Sequence, residues 1–120
     1  MKYLIGFMVV AAVILMVLKK DPDAYDSAAH LPPETTILAF GDSLTFGTGA
    51  NVGYPEQLAN MVGVKVINGG VPGEVSIEGL KRLPSSLAAH MPDIVILCHG
   101  GNDILRRMNL NKTAENIRHM

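Results

Sequence analysis

An α/β fold on a parallel sheet is what this 120-residue chain predicts, and three observations carry the prediction. Short apolar segments, TTILAF (35–40), VKVIN (64–68) and DIVILC (93–98), alternate with segments that read as helices. That alternation is the pattern of parallel strands joined by right-handed crossovers. The strand segments are apolar almost throughout, as strands covered by helices on both faces are. Each strand also runs into a loop that sets glycine beside a polar group: GDSL at 41–44, GGVPGE at 69–74 and HGGND at 99–103. Ligands in such sheets bind beyond the carboxyl ends of the strands, so the three loops share one edge.

The elements follow in order. YLIGFMVVAAVILMVL (3–18) carries no charge and is flanked by Lys2, Lys19 and Lys20. It is somewhat shorter than the roughly 20 residues that span a bilayer, a gap that snorkelling lysines close. Residues 1–20 are therefore expected to be an apolar helix serving as a membrane anchor, or else a signal segment. No small-x-small cleavage site follows closely, and no cysteine adjoins the segment for a lipid anchor. Either way the domain is expected to be membrane-anchored or exported. Residues 21–34 are polar, proline-containing and aperiodic, a linker. The domain itself occupies 35–120, a length that fits one modest unit.

Within it, 35–40 is the first strand. Tyr54–Gly63 is a helix, with Pro55 in its first turn and Gly63 just past its end. Residues 64–68 are the second strand. From Ser76 to His90, Ile77, Leu80, Leu83 and Leu87 recur at helical spacing, with Pro84 expected to kink or restart the helix. Residues 93–98 are a third strand, apolar on both faces and expected inside the sheet. HGGND reads as a loop, and a last helix starts near Thr113.

Composition excludes several functions. Removing Lys2, Lys19 and Lys20 from the 10 basic residues leaves 7 against 11 acidic ones, a formal charge of −4. With no basic patch or aromatic ladder, nucleic acid is not an expected partner. Cys98 is the only cysteine, so no internal disulfide forms, and it reads as a small packing residue. GTGANVG (47–53) has Val52 where a dinucleotide fingerprint needs its third glycine, and no cofactor is expected. GDSLT has Thr45 at the last position of the G-x-S-x-G elbow and does not match it.

The loops suit acyl transfer, which needs a nucleophile and donors aimed at the oxygen that becomes negative. Ser43 lies at the end of the first strand, and its own N–H, opening a helical turn, is a first donor. Gly73 offers a second backbone N–H with no side chain in the way. Asn102 offers a third through its amide. Plainer roles exist for each: a helix cap for Ser43 and Asn102, a turn for Gly73. The cap reading of Ser43 leaves the other two loops unexplained. Asp42 and Asp103 read as supporting carboxylates that bond nearby backbone N–H groups.

FGDSLTFGTG, INGGVPGEVS and HGGND resemble, in order and spacing, the first three blocks of the SGNH, or GDSL-type, esterase and lipase superfamily. YPEQLA and GLKRLPSSL are similar to the intervening segments of its arylesterase and lysophospholipase branch, the multifunctional thioesterase type. The resemblance covers about residues 35–118. It implies a three-layer α/β/α, flavodoxin-like fold and metal-free hydrolysis of a small ester or lipid. It also implies Ser43 as nucleophile, with Gly73 and Asn102 completing the oxyanion site.

The chain departs from the family at the fourth block. Asp-x-x-His, which supplies the catalytic histidine and its aspartate, occurs nowhere in the sequence. His99 lies close to the site but has no aspartate placed by sequence to orient it. The expectation is thus an incomplete SGNH domain, a serine ester hydrolase for short or medium acyl esters, thioesters or lysophospholipids that lacks its base. The alternatives are a non-catalytic acyl- or carboxylate-binding relic and an acetyl esterase acting on carbohydrate.

Overall fold

A computed structural model describes residues 31–120. The apolar helix expected over 3–18 and most of the linker lie outside the described residues. Among these, no helix is long and apolar enough to cross a membrane.

Strand β1 (Thr36–Gly41) is the centre of the fold. Its Leu38, Ala39 and Phe40 are fully buried, as the unbroken apolar run requires. Strands β2 (Lys65–Gly70) and β3 (Ile94–Cys98) pair with it in parallel on either side, in the order β2-β1-β3. The Asp93 carboxylate accepts the Thr36 N–H at 2.8 Å and locks the start of β1 to the start of β3. Gly41 pairs laterally with Gly70 and with Cys98, so the three strands end in one row.

Helix α1 (Ser43–Phe46) follows β1 at once, and α2 (Tyr54–Val62) leads to β2. Helix α2 starts at Tyr54–Pro55 and stops at Gly63, whose φ of 68° places it in the left-handed region. Helix α3 (Ser76–His90) leads to β3. α2 packs on β2 and α3 on β1. The chain moves from β1 out to β2 and then back past β1 to β3. Right-handed crossovers in opposite directions put α2 and α3 on opposite faces. The small core joins Leu38, Phe40 and Leu83, with Ile67 and Met120 against it.

Several expectations need correction. α3 runs unbroken through Pro84: packing holds the turn, and the Ser85 hydroxyl donates to the Arg82 carbonyl at 2.7 Å. HGGND is not all loop, because Gly101–Leu105 forms helix α4. The last helix, α5 (Leu110–His119), starts three residues before Thr113, since the Asn109 side chain caps it by accepting the Lys112 N–H at 3.1 Å. The expectation for β3 is not overturned: among the described residues it pairs only with β1, and its Ile94, Val95 and Leu97 are each about 40% exposed, as an apolar strand with one uncovered edge is.

Candidate active site

Asp42 and Ser43 leave the end of β1. Buried Asp42 caps α1, its Oδ1 accepting the Leu44 N–H at 3.0 Å. Ser43 is therefore the first residue of a helical turn, where backbone N–H groups lack helical partners. Half-buried Ser43 rides on a turn that is pinned from below. Thr45 is fully buried and shares a 3.2 Å hydrogen bond with the Tyr54 hydroxyl. Asn68 donates to the Phe46 carbonyl at 3.2 Å. A Cβ at Gly41 would overlap Thr45 Oγ1 and the Cys98 carbonyl, and one at Gly70 would overlap the Phe46 backbone. Glycine at both strand ends is what lets α1 close onto the sheet.

The loop after β2 carries Gly73. The Val71 N–H donates to the Gly41 carbonyl at 3.0 Å, which ties this loop to the end of β1. Gly73 has φ 77°, a conformation costly for any residue with a Cβ. Its carbonyl accepts from Arg106 at 2.7 Å. The loop after β3 carries Asn102 in the first turn of α4. One N–H of its amide donates to the Glu74 carbonyl at 3.0 Å. An amide nitrogen has a second. The first turn of α4 also borders Asp42: a Cβ on Gly101 would stand 3.4 Å from Asp42 Oδ2.

Ser43, Gly73 and Asn102 thus follow the carboxyl ends of three neighbouring parallel strands, on loops bonded or packed to one another. Open α/β sheets bind ligands beyond the carboxyl ends of their strands, and Ser43 and Asn102 follow the ends of the neighbouring β1 and β3. Beside Gly73 lies an open cavity of about 440 Å³ lined by Val71, Pro72, Gly73, Glu74, Glu78 and Arg106. Among the described residues no group of three His, Cys, Asp or Glu side chains is placed to hold a metal ion.

Asp103 lies beneath Asn102, fully buried. It accepts the Ser76 N–H at 2.8 Å, the Ser76 hydroxyl at 2.6 Å and the Thr113 hydroxyl at 3.1 Å. Asn116 in turn donates to the Ser76 hydroxyl at 2.9 Å. Burial pushes the Asp103 carboxyl upward, but the hydrogen bonds from Ser76 and Thr113 outweigh it and hold the pKa below the ordinary 3.8. Asp103 therefore clamps α4 to the start of α3 and to α5.

Sequence reasoning missed a second cluster. Glu74 is buried and bonds Arg82 through both carboxylate oxygens, at 2.8 and 2.7 Å, and His99 Nε2 at 2.9 Å. Burial again raises the carboxyl, while Arg82 and His99 lower it further, so Glu74 lies below the ordinary 4.5. The His99 side chain is fully buried. The Gly100 N–H donates to its Nδ1 at 3.1 Å, which places the ring hydrogen on Nε2, facing Glu74. Both nitrogens are engaged within this cluster, so His99 does have a carboxylate partner, and that partner is Glu74. A Cβ at Gly79 would overlap the His99 ring. That glycine, in the first turn of a helix, was the one signal of the cluster in the sequence.

The geometry agrees with comparison to known proteins. The model of the GDSL-like Lipase/Acylhydrolase family matches residues 39–120. The thioesterase 1/protease 1/lysophospholipase L1 of Escherichia coli (strain K12) is 37% identical over 87 residues, covering 69% of this chain and 42% of that protein. An arylesterase of Vibrio mimicus is 38% identical over 77 residues, covering 58% of this chain and 38% of that protein. The crystal structure of AlinE4, an SGNH-hydrolase family esterase, superposes with a TM-score of 0.67 at 32% identity, covering 74% of this chain and 52% of that one. The chain spans about half, or less, of the length of the relatives it matches. With the three blocks at one sheet edge and the family model matched over most of its length, the chain belongs to the GDSL-like lipase/acylhydrolase family.

Proposed function

We propose that this chain carries the nucleophile and the oxyanion donors of a serine ester hydrolase for short or medium acyl esters, thioesters or lysophospholipids. The observation that carries the reading is the placement of Ser43, Gly73 and Asn102 on three cross-tied loops after three adjacent strand ends. The Ser43 hydroxyl attacks the ester carbonyl carbon and forms the new C–O bond. The carbonyl oxygen takes the negative charge and is held by the Ser43 N–H, the Gly73 N–H and the Asn102 amide. The tetrahedral species collapses with loss of the alcohol or thiol, and water then releases the acid from Ser43. The serine proton needs a base. These 120 residues contain no Asp-x-x-His, and His99 is committed to Glu74, so neither that block nor His99 supplies the base.

The missing fourth block also supports a second reading, a non-catalytic pocket that binds acids or esters. One measurement separates the two. In protein expressed from the complete reading frame, Ser43→Ala is expected to abolish hydrolysis of a short-chain aryl ester. Asn102→Ala is expected to lower kcat about 10²–10³-fold. Ester binding without Ser43-dependent turnover supports the pocket reading and overturns the hydrolase.

The uncharged run 3–18 between lysines supports attachment to a membrane, with the domain exported. Alkaline carbonate extraction is expected to leave the intact chain in the pellet. Release of the intact N-terminus into the soluble fraction rules the anchor out, and a soluble form starting near residue 30 identifies a cleaved signal.

A further inference from the structure

Glu74 stands between the two donors that accompany Ser43. It follows Gly73 directly in the chain, and its carbonyl accepts the Asn102 amide. Any shift of the Glu74 backbone therefore moves both donors together. Its side chain is fixed by two partners, Arg82 and His99. Arg82 grips both oxygens, and the same guanidinium donates to the Gly69 carbonyl at 3.1 Å and reaches the Gly41 carbonyl at 3.4 Å. It lies 4.0 Å above the centre of the Phe40 ring, so its position is set by β1 as well. His99 reaches Glu74 from the end of β3, wedged against Gly79 of α3. One carboxylate is thereby referenced to the ends of all three strands.

Stability alone does not explain this construction. A buried ion pair gains little over apolar residues of the same volume, because desolvation offsets the attraction. What the cluster supplies is a fixed geometry at the point where two loops meet. We propose that Glu74, supported by Arg82 and His99, is the positioning residue that sets the spacing of the Gly73 N–H and the Asn102 amide, an inference that rests on the serine hydrolase reading of the same loops. Donors held for the transition state act on kcat more than on binding of the ester.

The test is the kinetics of Glu74→Gln in protein expressed from the complete reading frame, beside Arg82→Lys, which keeps the charge but loses the two-point grip. Glu74→Gln is expected to lower kcat about 10–100-fold with KM within about twofold, and Arg82→Lys to fall between it and the parent. A residue that merely supports the fold multiplies its effect with that of Asn102→Ala. A positioning residue does not, so the Glu74→Gln, Asn102→Ala double variant is expected to lose less than the product of the single losses. A folded Glu74→Gln protein with kcat within twofold of the parent overturns the proposal. If that variant does not fold, unchanged kcat in Arg82→Lys overturns it instead. Ser43-dependent hydrolysis that survives these changes defeats the positioning role alone. Hydrolysis that survives Ser43→Ala, or no Ser43-dependent hydrolysis at all, defeats the serine reading and this inference with it.

Discussion

Asp103 is a fully buried carboxylate with no cation beside it among the described residues, kept charged by three donated hydrogen bonds. Asn at this position turns an NH₂ toward donors that have nothing to donate to. Asp103→Asn is therefore expected to lower stability by about 2–3 kcal/mol, read from urea unfolding midpoints. Asp103 and Glu74 both have folded pKa values below their ordinary 3.8 and 4.5. A depressed folded pKa contributes stability that is present above the unfolded value and disappears as pH falls through the folded one. The melting temperature is thus expected to hold from neutrality down to about 5 and to drop below about 4, with a shallower acid limb in Asp103→Asn. At this scale the candidate site divides cleanly by sequence distance. That Ser43, Gly73 and Asn102 share one sheet edge was legible because each follows its strand within a few residues. The ties from Glu74 to Arg82 and His99 were not, since they join a loop, a helix face and another strand end, and nothing local marks such a meeting.

The elements show the same division. Local chemistry announced α2, from Pro55 to Gly63, and packing decided what propensity did not. Pro84 signals a break, yet α3 continues through it. Gly79 signals a weak point in α3, yet it is the space that the His99 ring fills. This gives a prediction opposite to the usual rule. Alanine in a helix interior normally gains up to about 1 kcal/mol over glycine. Gly79→Ala is instead expected to lose about 1–3 kcal/mol, because the new methyl displaces a buried, doubly bonded ring. Thermal unfolding of the single variant checks the sign. Helix α4 was read as a loop and α5 was misjudged at its start, because caps and tertiary bonds, above all the clamp at Asp103, outweigh periodicity over so few residues.

For the molecule as a whole, the parallel three-strand sheet was legible from the alternation of strands and helices, and so was the demand of β3 for cover on both sides. Apolar content reports that a strand wants to be covered, not which neighbour covers it. Ile94, Val95 and Leu97 remain substantially exposed on an outer strand. Exposed apolar edges of this kind pair with other chains. Residues 31–120 expressed alone are expected to self-associate, as read by light scattering at increasing concentration. Val95→Lys is expected to reduce that association, and no change in the variant removes β3 as the cause.

The row formed by Gly41, Gly70 and Cys98 has a consequence for how activity is lost. Each strand acts as a ruler that sets how far its loop projects. A slip of one residue between neighbouring strands advances a loop by about 3.3 Å, whereas productive placement of a catalytic group tolerates only about 0.5 Å. No partly shifted arrangement keeps a fraction of the alignment. On the proposed serine hydrolase reading, activity remaining in a population under stress therefore counts molecules whose sheet is in its native register, and a hydrolysis assay becomes a census of correctly zipped strands rather than a gauge of gradual softening.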